Sequence, residues 1–139
     1  MWSAGWPPIF RPPDSPIATV WCIPEKKLIH HQIHKFVFGE EFRRFLLAGT
    51  EAMKKNKATK WLSDDRANTV MSPEDMEWGQ KTWFPQTVAA GWKFWAIVQP
   101  EKVLAQMGME QLVKDYSAAG ITAKFFTDPD EAVKWLEAQ

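Results

Sequence analysis

Residues 58–75 read ATKWLSDDRANTVMSPED. Ala58 to Leu62 reads as a short buried strand, with Trp61 and Leu62 on opposite faces. SDDR at 63–66 ends that strand in charge. A polar loop follows. Ser72 then stands before Pro73, Glu74 and Asp75. A serine N-cap, a proline at the first helical position and acids against the positive end of the dipole mark a helix start. Strand, charged loop and helix start make one α/β unit. In open α/β sheets ligands and partners dock at such strand ends. No reaction can be read from the stretch itself.

Downstream the unit repeats. The helix from Pro73 runs to about Ala90, with Met76, Trp83, Phe84, Thr87 and Val88 inward, and Pro85 predicts a kink or a split. Trp92–Gln99 is a fourth strand, apolar on both faces. Glu101–Ala119 is a helix with Met109, Leu112, Val113 and Tyr116 inward, and Ile121–Phe126 is a fifth strand. Asp128, Pro129, Asp130 and Glu131 repeat the helix-start grammar for a last helix carrying Ala132, Val133 and Leu136. AAG at 89–91 and at 118–120 ends a helix and feeds a strand at once. Such tight joints are typical of parallel units.

Upstream, Phe42, Phe45, Leu46, Gly49 and Met53 form one stripe on a helix over Gly39–Asn56. Ile17–Ile23 and Leu28 to about Phe36 are strands joined by PEKK at 24–27, an antiparallel hairpin. Residues 1–16 hold Pro7, Pro8, Pro12, Pro13 and Pro16, so they form an extended arm rather than a helix or central strand. The arm is either a tail or a dimer-forming element pinned by Trp2, Trp6, Ile9 and Phe10. Residues 17–139 then form a single α/β domain with element order β-β-α-β-α-β-α-β-α. That order predicts a mixed, mainly parallel five-stranded sheet with an N-terminal hairpin and about four helices.

A chain of 139 residues with 45% apolar content supports one packed core. Seventeen basic residues balance seventeen acidic ones. That balance offers no electrostatic reason to expect nucleic acid or an anionic membrane. No apolar run approaches the ~20 residues of a bilayer span, and no signal-peptide pattern is present. With the lone Cys22, these features lead to the expectation of a cytoplasmic protein. Cys22 reads as a small core residue. His30 and His34 would stand roughly 13 Å apart on one strand face, with His31 pointing away, so no metal site is expected. The three histidines read as solvated or edge-strand residues, and no cofactor is expected.

Two sets of residues remain as functional candidates. Ser63, Asp64, Asp65, Arg66, Asn68 and Ser72 make a ligand or partner loop, with an Asp–Arg bond ordering the loop as the simplest reading. Nine tryptophans are many for one small core. Trp6, Trp78, Trp83 and Trp92 are therefore candidates for an interface, where tryptophan is enriched.

The element order resembles the STAS-like fold, found in bacterial anti-sigma factor antagonists of the stage II sporulation AA type, with SEC14-like relatives. WLSDDR at 61–66, SPEDMEW at 72–78, GWKFWAIV at 91–98 and AVKWL at 132–136 are similar to small uncharacterised bacterial proteins of that group. The antagonists carry a phosphorylatable serine in an Asp-Ser-Ser/Thr-Gly-like loop. Here that place reads SDDR and SPED, so the resemblance does not carry that role to Ser63 or Ser72. It implies a non-catalytic interaction or regulatory module with a protein partner, most simply a homodimer. The alternative is a small-molecule site, binding or catalytic, at Asp64, Asp65 and Arg66, with an apolar ligand as in lipid-binding SEC14-like relatives.

Overall fold

A computed structural model describes residues 7–10, 17–36, 38–68 and 71–139. β1 (Ala18–Ile23) and β2 (Leu28–Ile33) pair antiparallel, joined by a 3-10 turn that begins at Pro24. Lys27 closes that turn in the left-handed region at φ 54°. β3 (Lys60–Asp64), β4 (Phe94–Val98) and β5 (Thr122–Phe126) add in parallel, giving the order β1-β2-β3-β4-β5. The mixed, mainly parallel sheet and its opening hairpin are as the sequence reads, and Trp61 and Trp95 are neighbours within it. β3 is shifted two residues along from the expected Ala58–Leu62, starting at Lys60 and ending where Ser63 and Asp64 pair with Ile97 and Val98. Backbone pairing continues past the first polar side chain.

The parallel strands are added in one direction only, so crossovers of one hand keep their helices on one face. That face is covered by α1 (Gly39–Asn56), by a helical run over Pro73–Ala89, and by α4 (Val103–Ala118). Among the described residues only α5 (Pro129–Glu137) covers the other, setting Ala132, Val133 and Leu136 on Leu28, Leu62, Ala96 and Val98. Without a reversal of strand order there is no switch-point crevice of the doubly wound kind. Space for a ligand has to lie between the sheet and its helices.

The helical run contains α2 (Pro73–Trp78), a π turn (Gly79–Trp83) and α3 (Phe84–Ala89). Pro85 does not split it. Proline lacks an N–H and crowds the carbonyl four residues back, and the wider turn just before it relieves both problems. Phe84 N–H bonds back to Gly79 O. The changed phase turns Trp83 and Thr87 inward, whereas Val88, expected inside, is 37% exposed.

The main core is aromatic. Trp61, Trp83, Trp92 and Trp95 interlock with ring centroids 5.2–6.0 Å apart, and Phe84 and Tyr116 extend the cluster. Such pairs add ~0.5–1.5 kcal/mol each beyond burial. Two interface candidates are thereby corrected: Trp83 and Trp92 are 5% and 2% exposed within one chain. Trp78 is half-buried, with the Arg43 guanidinium 5.4 Å from its ring centroid. Trp6, Trp2 and most of the proline arm lie outside the described residues. Of the arm, Ile9 and Phe10 bond to Val20 along the outer edge of β1. The histidine reading is corrected too, because β2 is an interior strand. His30 and His31 are 0% and 4% exposed. Only His34 is exposed, 2.7 Å from Thr19 Oγ1.

Gly49 of α1 lies flat on the Trp61 indole, where an added Cβ would collide with ring atom Cη2. Gly49→Ala gains ~1 kcal/mol of helix propensity but overpacks this contact. Urea unfolding should show a net loss of about 1–3 kcal/mol. Gly79→Ala, whose Cβ meets only the Tyr116 hydroxyl at 3.6 Å, should be neutral or stabilising.

Candidate functional site

Parallel pairing sets His31 of β2 beside Ser63 of β3, on the sheet face that carries Trp61. The Trp61 indole N–H donates to His31 Nδ1 at 2.9 Å. An indole nitrogen can only donate, so Nδ1 is the bare nitrogen and the ring proton sits on Nε2. Nε2–H donates to Asp65 Oδ1 at 2.8 Å. Both residues are 4% exposed. His31 is thus a neutral imidazole held in one tautomer. With both nitrogens occupied it has no lone pair for a substrate proton, and its role is to position Asp65.

Strand alternation separates the adjacent acids. Asp64, the last residue of β3, faces the opposite way and takes Arg66 in a two-pronged bond, Nε to Oδ1 at 2.9 Å and Nη2 to Oδ2 at 2.7 Å. That bond raises the pKa of the Arg66 guanidinium. The Asp–Arg bond expected of this loop is therefore made by Asp64, and Asp65 is left to the helix side. Asp64 and Arg66 line a shallow cleft at the sheet's lip with His34 and Glu101. Ser72 is a helix cap, accepting from Asp75 N at 3.2 Å. Of the six loop candidates, Ser63, Asp65 and Asn68 converge on one cavity, and Asp64, Arg66 and Ser72 do not line it.

That cavity, about 40 Å³, lies between the sheet and the helix layer at the carboxyl ends of β2 to β4. It has room for about three waters or a few heavy atoms. Ser63, Asp65 and Asn68 form its polar wall, and Trp83, Trp95 and Met109 are part of its apolar one. The Trp95 indole N–H donates to Ser63 Oγ at 2.8 Å. A second chamber of about 30 Å³ shares Met71, Met76 and Met109 with the first and reaches Leu104, which is 69% exposed. Methionine side chains are flexible, so the partition between the chambers is soft.

Sequence reasoning missed His31, Trp95 and the methionines as site residues. The period-2 alternation that places His31 with Ile29 and Ile33 is the signal that points to the cavity face. Asp75 was read only as a first-turn acid. It is 2% exposed and ties two helix starts together, accepting from Gly39 N at 3.0 Å and lying 3.7 Å from Arg43 Nε. Among the described residues no group of three or more His, Cys, Asp or Glu is placed to hold a metal, and no helix is long and apolar enough to cross a membrane. A scan against protein-family models, a search of curated proteins and a search of solved structures each return no match.

Two measurements check this geometry. Nitrogen NMR should find His31 Nδ1 unprotonated in the native protein, and Trp61→Phe, which strips the donor from Nδ1, should cost about 1–3 kcal/mol from the unmet acceptor alone. On the opposite face His30 stacks on Trp21 at 4.8 Å, and burial lowers its pKa to about 3. The unfolded chain takes up that proton near pH ~6.5 while the folded chain resists it. This contribution to stability is complete above pH ~6.5 and falls by up to ~1.4 kcal/mol per unit as the pH drops toward about 3. Urea midpoints at several pH values should show that slope, and His30→Gln should flatten it.

Proposed function

We propose that this chain is a non-catalytic binding module that holds a small, mainly apolar molecule between its sheet and its helices. The observation that carries the reading is the state of Asp65. It lies in the cavity wall, 4% exposed, with Oδ1 held by His31. Among the described residues Oδ2 accepts no hydrogen bond. Oδ2 keeps a little accessible surface, and the cavity that Asp65 lines is where a bound donor would reach it.

Two further facts favour binding over catalysis. His31 has no free nitrogen, and Asp64 is committed to Arg66. The likeness to STAS-like modules along 61–66, 72–78, 91–98 and 132–136 supports the same reading, since such domains bind and regulate. A cytoplasmic setting belongs to the proposal, motivated by the single cysteine.

The test is a titration with n-butanol, followed at the Trp95 indole N–H by NMR. A saturable shift with a raised melting temperature is expected, weakened in Met109→Phe, which narrows the passage between the chambers. A linear, unsaturable shift would remove the cavity as a binding site. A second reading, self-association into a homodimer, is favoured by Val103, Leu104 and Met107, which form an apolar strip on α4 at 67%, 69% and 59% exposure. Light scattering at micromolar concentration should then give twice the monomer mass, reduced to the monomer by Leu104→Glu. A monomer in both chains would dismiss that second reading.

A further inference from the structure

The buried carboxylates of this protein differ in one respect. Asp64 and Asp75 are 1% and 2% exposed, and each has a guanidinium, Arg66 at 2.7 Å and Arg43 at 3.7 Å. Asp65 is 4% exposed, and among the described residues no lysine or arginine nitrogen lies within ion-pair distance of it. Among the described residues the one partner of its carboxylate is His31, held neutral because Trp61 occupies Nδ1. A buried carboxylate without a counter-charge is expensive, and the usual remedy is a paired cation. Here the open side of the carboxylate is the cavity.

The rest of the wall suits a cation. Ser63 Oγ, which accepts from Trp95, keeps a second lone pair for another donor. Trp83 and Trp95 present aromatic surface to the same space, and aromatic faces attract ammonium groups. The chamber of about 40 Å³ takes a small head, and the adjoining one of about 30 Å³, behind Met71, Met76 and Met109, takes a short tail. We infer that the ligand of this site is a short-chain primary alkylammonium, its charged nitrogen between Asp65 Oδ2 and Ser63 Oγ and its hydrocarbon toward Leu104. The inference rests on the cavity reading above and adds the charge and form of the occupant.

The experiment titrates the full chain at neutral pH with n-butylammonium chloride, n-butanol and sodium butyrate, read at the Trp95 indole N–H and by melting temperature. Butylammonium should bind about tenfold tighter than butanol, the worth of one charge-assisted hydrogen bond, and butyrate should not bind. In Asp65→Asn the preference for amine over alcohol should fall to about one, with alcohol binding retained. Ser63→Ala should lower amine affinity more than alcohol affinity. Butanol or butyrate binding as tightly as the amine overturns the cation assignment and leaves the cavity reading standing. Failure of all three probes overturns both. The panel on the native chain decides alone if Asp65→Asn does not fold.

Discussion

One hydrogen bond organises the centre of this protein, the 2.9 Å contact from the Trp61 indole to His31 Nδ1. Trp61 is fully buried, so its N–H needs an acceptor inside the fold. His31 is the neighbour that supplies it, and meeting that need fixes the imidazole tautomer. The proton then has one place to go, and it points at Asp65. A packing requirement is thereby converted into the orientation of a carboxylate. Three other buried indoles find acceptors of their own, Trp83 at Leu46 O, Trp92 at Phe94 O and Trp95 at Ser63 Oγ. The four-tryptophan cluster is tolerable because each of its indole N–H groups is matched.

Topology places the result. The parallel strands are laid down in one direction, so three helical segments crowd one face of the sheet and α5 serves the other. The crowded face is where large rings and methionines meet irregularly and where a cavity survives. Trp61 fills the space beneath α1, where Gly49 leaves room for it. Toward the carboxyl end the ring layer gives way to Met71, Met76 and Met109. The site is lined by side chains of the sheet, of the segment between β3 and α2, and of the helices, and its small volume favours small molecules over extended ones.

Charge is sorted by the same alternation that builds the sheet. Asp64 and Asp65 are adjacent in sequence, yet one faces the lip with Arg66 and the other faces the core with His31. Asp75 links the first turns of α1 and α2, where positive helix ends converge. Each acid has a distinct electrostatic setting although all three lie within twelve residues of chain. Proximity in sequence says little about which of them share a site.

The element order, the hairpin, the parallel sheet and both proline-led helix starts were legible in the sequence, because period-2 and period-3.6 patterns, caps and glycine stops are local physics. Ser63, Asp65 and Asn68 could be picked out as polar residues of one short stretch, but not their meeting at one cavity or their separation from Asp64, Arg66 and Ser72. The burial of His30 and His31 was hidden, since it depends on β2 lying inside the sheet, and strand order is a long-range property. The inward turn of Trp83 and Trp92 was hidden for the same reason: a tryptophan is core or interface according to what packs over it. The absence of a proline break at 85 depended on a π turn that only the packed helix reveals. Which carboxylate lacks a cation is set by the three-dimensional meeting of His31, Trp61 and Asp65, and no spacing along the chain encodes it.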